Sequence, residues 1–299
     1  MSHNLTWIDV SASMPNEDSM TNTHTLPPPL ERPASDPSML RLRVIEAKDL
    51  QSALTLWREL EQRVDQPPLM ASESWNRTWL AHYGDSVHFR FLLAEDHGQL
   101  RGICLYTESQ QRKSALLWLQ TRHLGTAGDP VHESVVVEYN SLLVEPAYRS
   151  AFIDAISHWL LTQADGDIVQ LDGFTQTEAE ELTVHWPAVD VRQRESKYLD
   201  LAAIRETGGE LIAALGRSTR ANLRRKLREY GDLQIEWAES LDVANDILTE
   251  LIELHQARWQ ADGQPGAFAS LRFSGFQRDL LSELLPRGAA WPSVCDTKG

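Results

Sequence analysis

Apolar and polar residues follow two periods along the chain from Leu40 onward. The segment RLRVIE (41–46) alternates with the two-residue period of a strand, and apolar residues between 50 and 60 recur at helical spacing directly after Asp49, a residue type that often precedes a helix. SWNRTWLAHYG (74–84) predicts a second helix that ends at Gly84. HFRFLLAE (88–95), the turn DHGQ and LRGICLY (100–106) predict a β-hairpin.

Residues 114–201 continue this mixture of strands and helices. SALLWLQ (114–120) and VVVEYNSLLV (135–144) predict strands, and a helix is expected from Ala147 to about Gln163. A buried strand, DIVQLDG (167–173), a short helix and a last pair of strands near VDVRQ and KYLDL follow. The resulting order is strand, two helices, three or four strands, helix, strand, helix, strand. This order predicts an α/β (α+β) fold class with a mixed sheet flanked by helices.

The residues after 203 have a mostly helical pattern. Helices are predicted over roughly 208–230, Leu241–Trp259 and about 271–285, with one strand, LQIEWAE (233–239). The tail RGAAWPSVCDTKG (287–299) matches neither period. Because one strand cannot form a sheet, we interpret this part as an incomplete second unit. Its apolar helix faces are expected to pack on another part of the chain, to support self-association, or to lie partly exposed.

The N-terminal segment differs from both. Residues 1–39 are polar and rich in proline, which is typical of a disordered leader. The predicted organisation is therefore a leader (1–39), a first domain (40–203) and the truncated start of a second domain (204–299).

Composition excludes several classes of protein. The formal net charge of −15 argues against general binding to DNA or other nucleic acids, which requires a basic face. Two cysteines, Cys104 and Cys295, indicate neither a disulfide framework nor a thiolate metal site. The sequence shows no signal peptide and no apolar run of about 20 residues, so a cytoplasmic protein without a membrane span is expected.

The segment STRANLRRKLREYG (218–231) concentrates positive charge within this acidic chain. On a helix, residues three and four apart are neighbours, so Arg217, Arg220, Arg224 and Arg228 form one stripe. Arginine binds phosphate with two parallel hydrogen bonds, which suggests a platform for an anionic substrate. A solvated basic face, paired with the surplus carboxylates of the chain, is the alternative.

Three further groups of residues are candidates for chemistry. Arg258 and Trp259 follow His255 near the end of a predicted helix and suggest the wall of a substrate pocket, although core packing explains His255 and Trp259 as well. Glu138 and Tyr139 interrupt an apolar segment and are candidates for a general base and acid, with a structural role as the alternative. No metal site is predicted, since His123 and His132 have no third ligand at suitable spacing.

The segment SLLVEPAYRSAFIDAISHWLL (141–161) is similar to the strand–loop–helix of the GNAT acyltransferase superfamily, and the predicted order of elements resembles that fold. Together with HLGTAGDPVHESVVVEYNSLL (123–143), the basic segment and HQARWQADGQPGAFAS (255–270), it resembles the CelD-like acetyltransferase branch related to Fem-type transferases. The resemblance implies a GNAT-like sheet, and transfer of an acyl group, such as acetyl, from coenzyme A to an amine or similar nucleophile. By the same resemblance, the acceptor is a small molecule or a cell-envelope precursor.

The resemblance also makes predictions about where the donor binds. In active GNAT members an Arg or Gln precedes two small residues at a helix N-terminus, where bare N–H groups hold the pyrophosphate of coenzyme A. Arg149 matches, but Phe152 and Asp154 occupy the small positions, so this loop is expected not to bind the cofactor. The sequence ends before the strands that carry the donor loop in the family's second half, which predicts a truncated chain. Two alternatives stay open: a non-catalytic binding module, and Fem-like aminoacyl transfer from tRNA.

Overall fold

The computed structural model describes residues 3–13, 40–112, 118–162, 166–186, 188–206, 208–231, 233–290 and 292–297. Contacts divide the chain into a first unit, Trp7–Arg194, and a second unit, Glu195–Gly299 together with Met1–Thr6. The predicted domain boundary after residue 203 stays a prediction.

The first unit is built on a mixed sheet. Its strands are β1 (His3–Ser13), β2 (Arg41–Glu46), β3 (His88–Asp96), β4 (Gln99–Arg112), β5 (Trp118–Leu124), β6 (Leu143–Val144), β7 (Ile168–Thr175) and β8 (Asp190–Tyr198). They follow the order β2-β3-β4-β5-β7-β1-β8, and β6 pairs with β4. β5 and β7 are parallel, whereas β2–β3, β3–β4, β4–β5, β4–β6 and β1–β7 are antiparallel.

Helices cover both faces of this sheet. They are α1 (Leu50–Glu61), α2 (Glu73–Tyr83), α3 (Arg149–Thr162) and α4 (Gln176–Thr183). On one face, Trp57 of α1 meets Phe91 of β3 edge to face, with ring centroids 6.1 Å apart. On the other face, Phe152 of α3 joins the buried cluster that contains Leu92 and Tyr106. The mixed α/β class and the order of elements from residue 40 to residue 198 are as predicted.

Local sequence explains where these elements begin and turn. The Ser72 hydroxyl accepts a hydrogen bond from the Trp75 N–H and so caps α2, and the Thr175 hydroxyl caps α4 in the same way. His97 and Gly98 both have positive φ in the turn between β3 and β4, which joins antiparallel strands tightly.

Three predictions for the first unit are wrong. Residues 3–13 form β1, although they were expected to be disordered. Apolar residues alternate with polar ones in this segment, as in a strand. The register shift between Ile8 and Val10 coincides with a change in phase of that alternation. Residues 14–39 lie outside the described residues. Residues 135–139 form no regular strand, because Tyr139 has a φ of 67° that interrupts the extended backbone. The predicted final pair of strands is the single strand β8, since neither Gly nor Pro separates its two halves.

The second unit combines helices with a two-stranded sheet. Its elements are α5 (Leu201–Glu206), α6 (Leu211–Ala214), α7 (Arg217–Tyr230), β9 (Leu233–Trp237), α8 (Leu241–Ala261), α9 (Leu271–Leu284) and β10 (Ser293–Thr297). The predicted helix over 208–230 is interrupted at Gly216, which has extended ψ and precedes α7. The tail expected to have no pattern contains β10, which pairs antiparallel with β9, so the second unit does contain a sheet.

Few side chains of the second unit are buried. Ala244 and Leu248 of α8 and Phe276, Leu280 and Leu284 of α9 are buried. Large apolar side chains stay exposed elsewhere in this unit, among them Trp237, Leu251, Leu254, Trp259 and Leu271. Partial exposure, one of the expected outcomes, is therefore observed. In the described part of the chain, no helix combines the length and the apolar character needed to span a bilayer.

Candidate functional site

The basic stripe lies on α7, an exposed helix. Arg217, Arg220, Arg224 and Arg228 recur every three or four residues and therefore share one side of the helix. None of the residues of α7 is buried, and its apolar side chains Leu227 and Tyr230 are also exposed. The stripe is thus open to a ligand along its length.

The ion pairs of α7 lie outside this stripe. Glu229 accepts from Arg225 at 3.0 Å and pairs with Lys226 at 3.0 Å. In the described residues no ion pair involves Arg217, Arg224 or Arg228, and Arg220 donates only to the Ala213 carbonyl, at 3.3 Å. Among the described residues, carboxylates of this chain therefore do not neutralise the arginine stripe.

The residues predicted at the end of α8 separate into two groups. The half-buried His255 ring packs edge to face on Phe268, at 5.1 Å between centroids, and is tilted against Trp259 at 5.8 Å. The next side chain, Gln256, donates to the Pro265 carbonyl at 2.8 Å and holds the loop after α8 against the helix. Arg258 is exposed and Trp259 is 43% exposed, so both side chains are accessible, whereas His255 serves packing.

An apolar groove also lies within the second unit. It has a volume of about 430 Å³ and is formed by α8, α9 and the start of β10, with Leu251, Leu254, Leu281 and Pro292 in its wall. This volume is within the range of small-molecule sites, but only Glu250, Gln277 and Ser293 give it polar character.

The loop compared with the GNAT cofactor site is occupied by contacts within the chain. The Arg149 guanidinium pairs with two carboxylates of α4, Glu178 at 3.1 Å and Glu181 at 3.2 Å. The Phe152 side chain is fully buried, and a Cβ added at Gly102 would lie 2.8 Å from its ring. Phe152 therefore points into the core. Asp154 is half-buried on the same helix.

Glu138 and Tyr139 lie on the irregular segment beside β7. Both side chains are exposed. The third polar residue of that run, Asn140, is buried and donates from Nδ2 to the carbonyls of Leu124 and Asp172, each at 3.0 Å. The run is thus partly structural: Asn140 joins β5 to β7 where the two parallel strands separate.

One polar cluster of the first unit was not anticipated as a site. Ser109 Oγ lies 2.9 Å from His123 Nε2, and His123 Nδ1 lies 3.7 Å from Asp172 Oδ2. The residues come from β4, β5 and β7, so only the sheet order brings them together. The sequence offers one signal, His123 beside a glycine-rich loop, which we weigh only as a metal ligand. Among the described residues, no three His, Cys, Asp or Glu side chains are grouped to hold a metal ion, and His132 is exposed.

Two side chains near this cluster have pKa values shifted by burial. Burial raises the pKa of Asp129, although hydrogen bonds from the Val135 N–H and the Ser134 side chain act in the opposite direction. Burial also raises the pKa of the Cys104 thiol, which is therefore held in its unreactive, protonated form.

Known proteins resemble parts of this chain. Residues 217–299 match the family model described as "Acetyltransferase (GNAT) domain". Among solved structures, the chain is similar to a GCN5-related N-acetyltransferase from Anabaena variabilis, at 13% sequence identity and a TM-score of 0.33; the match covers 66% of this chain and 40% of that protein. No curated protein matches the chain. The part of the chain that begins with the basic helix α7 is therefore similar to a GNAT acetyltransferase domain.

Proposed function

We propose that the chain is an acyltransferase whose α7 stripe binds the phosphates of an acyl-coenzyme A donor. The observation that carries this proposal is a stripe of exposed arginines that has no ion pairs among the described residues and lies within the segment similar to a GNAT acetyltransferase domain. Planar guanidinium groups spaced along one side of a helix suit a ligand with several phosphate groups.

The proposed reaction is direct transfer from a thioester. An amine acceptor attacks the acyl carbon, the carbon–sulfur bond breaks, and the thiolate of coenzyme A takes up the proton that the amine loses. Glu138 and Tyr139 stay as proposed base and acid, because both are exposed and within reach of solvent. Acetyl-coenzyme A as donor, a small-molecule or cell-envelope precursor as acceptor, a cytoplasmic location and the CelD-like branch belong to the same proposal, supported by the sequence resemblance.

Calorimetric titration of the full chain with acetyl-coenzyme A tests the donor site. Arg224→Ala removes one unpaired member of the stripe, and Arg225→Ala is the matched control because that neighbouring arginine already pairs with Glu229. A charge-assisted hydrogen bond contributes about 1.5–3 kcal/mol, so Arg224→Ala should weaken binding roughly tenfold or more. Affinity should also fall as salt is raised.

The same titration separates the alternatives. Equal affinities for the Arg224→Ala and Arg225→Ala variants would exclude the stripe as the donor site. Absence of heat with acetyl-coenzyme A, combined with salt-sensitive binding of tRNA, would favour aminoacyl transfer. Absence of binding to either ligand would support a non-catalytic module.

A further inference from the structure

The polar cluster of the first unit lies across three neighbouring strands. In the antiparallel pair of β4 and β5, Ser109 is opposite Thr121 and Thr107 is opposite His123, so Ser109 and His123 are diagonal neighbours on one face. In the parallel pair of β5 and β7, His123 is opposite Gln170, two residues before Asp172. The strand order therefore brings a hydroxyl, an imidazole and a carboxylate into one line.

The contacts of His123 define a direction for proton transfer. Nε2 is 2.9 Å from Ser109 Oγ, a hydrogen-bond distance whose direction depends on the tautomer of the ring. We assign Nε2 as the acceptor of the hydroxyl proton. That assignment leaves the proton of the neutral ring on Nδ1, which has no hydrogen-bond partner among the described residues and faces Asp172 Oδ2 at 3.7 Å. This separation exceeds a hydrogen bond, as is common for such pairs before a substrate binds.

Ser109 is more exposed than His123, as is required of a serine that attacks a substrate. His123 is 1% exposed, whereas Ser109 is half-buried, so the hydroxyl is the accessible member. The second oxygen of Asp172 accepts from Gln170 Nε2 at 2.8 Å, which fixes the carboxylate. A Cβ added at Gly128 would lie 3.1 Å from both Ser109 Cβ and His123 Cδ2, so the glycine backbone packs closely against the pair and holds the two side chains in place.

We propose that Ser109, His123 and Asp172 form a nucleophilic site that accepts the acyl group of an activated ester or thioester on Ser109 Oγ. The serine is the catalytic nucleophile and His123 its general base, because His123 touches the reacting oxygen. Asp172 is a positioning residue that holds the imidazole and stabilises its charged form. The site belongs to the first unit, and it does not depend on donor binding at α7.

The proposed step balances as follows. Ser109 Oγ attacks the acyl carbon, His123 Nε2 takes the hydroxyl proton, and the bond from the acyl carbon to the leaving oxygen or sulfur breaks. The leaving group then takes the proton from Nε2. Water subsequently attacks the acyl-serine ester, loses a proton to His123, and the proton returns to Ser109 Oγ as the free acid departs.

p-Nitrophenyl acetate, used with the full chain, tests the proposal without coenzyme A. We expect release of p-nitrophenolate and, after acid quenching, one acetyl group on the peptide that contains Ser109, detected by mass spectrometry. Ser109→Ala should abolish that label and lower turnover by about a hundredfold or more, the usual contribution of a positioned base and nucleophile. Ser141→Ala is the matched control, since Ser141 is also half-buried but donates to Glu178.

The role of Asp172 is tested separately. Asp172→Asn should lower kcat with KM unchanged, and Asp172→Glu should restore part of the loss, whereas a merely structural role would change stability in both variants alike. An acetyl label on other residues only, or equal labelling of wild type and the Ser109→Ala variant, would overturn the proposal.

Discussion

Phe152 lies in α3, and its replacement distinguishes a residue that fills the core from a residue that covers the loop before this helix. The side chain is fully buried in the cluster that also contains Leu92, Tyr106 and Leu160. If Phe152 only covered the loop, Phe152→Ala would cost little and would open a binding site. If it fills the core, the same change leaves a cavity and adds no affinity for coenzyme A.

The cost follows from the packing of the ring. Truncation of a buried phenylalanine to alanine costs about 3–5 kcal/mol, a large part of the roughly 5–15 kcal/mol by which domains are stable. The close approach at Gly102 gives a second measure of the same contact. Gly102→Ala would place a methyl group 2.8 Å from the ring, and such overpacking costs about 1–3 kcal/mol. Gly102→Ala combined with Phe152→Leu should cost less than the two single changes together, because they share one contact.

Urea-induced unfolding, monitored by near-ultraviolet circular dichroism, measures these changes in the free energy of unfolding. The matched control is Phe89→Ala, which truncates a half-buried phenylalanine of the same unit and should cost clearly less. A loss of under about 1 kcal/mol for Phe152→Ala would be incompatible with a filled core at this point. Additive losses in the Gly102 and Phe152 double variant would likewise contradict the packing described.

Two further predictions concern the first unit. Asn140→Ala removes the donor that reaches the Leu124 and Asp172 carbonyls, so the free energy of unfolding should fall by about 2–4 kcal/mol; a change below 1 kcal/mol in urea unfolding would contradict this role. Burial raises the pKa of Asp129 in the folded state. At pH values between the ordinary pKa of an Asp and this raised pKa, the native protein therefore binds more protons than the unfolded chain. Its contribution to stability therefore falls as pH rises through that window. Asp129→Asn should flatten this part of the stability–pH curve, and identical curves for both proteins would refute the assignment.

Much of the fold follows from local sequence patterns. The helical pattern between residues 50 and 60 is strong because one side of α1 is buried, and the centre of β3 is a continuous apolar run because residues 91–94 are buried on both faces of the sheet. β10 was missed because its apolar residues become a strand only by pairing with β9, more than fifty residues earlier. The pattern of a single strand carries little information about a distant partner.

The candidate sites also differ in whether local sequence predicts them. The α7 stripe could be predicted, since residues at helical spacing within one element share a side. The line from Ser109 to Asp172 could not, because it depends on β5 and β7 becoming neighbours in the sheet. Asn140, the next residue after the candidates Glu138 and Tyr139, shows that a polar residue in an apolar run can be structural, because its amide satisfies carbonyl groups of two strands.

Helix α7 shows how charge and order are linked in the second unit. It has six basic residues and one acidic residue, and none of its side chains is buried, so packing contributes little to its stability. Like charges four residues apart on a helix destabilise it by about 0.2–0.5 kcal/mol per pair, and Arg220, Arg224 and Arg228 form two such pairs. An anion bound along the stripe would remove this repulsion. Anion binding and helix formation must then stabilise each other, because a ligand that binds only the ordered helix shifts the equilibrium toward it.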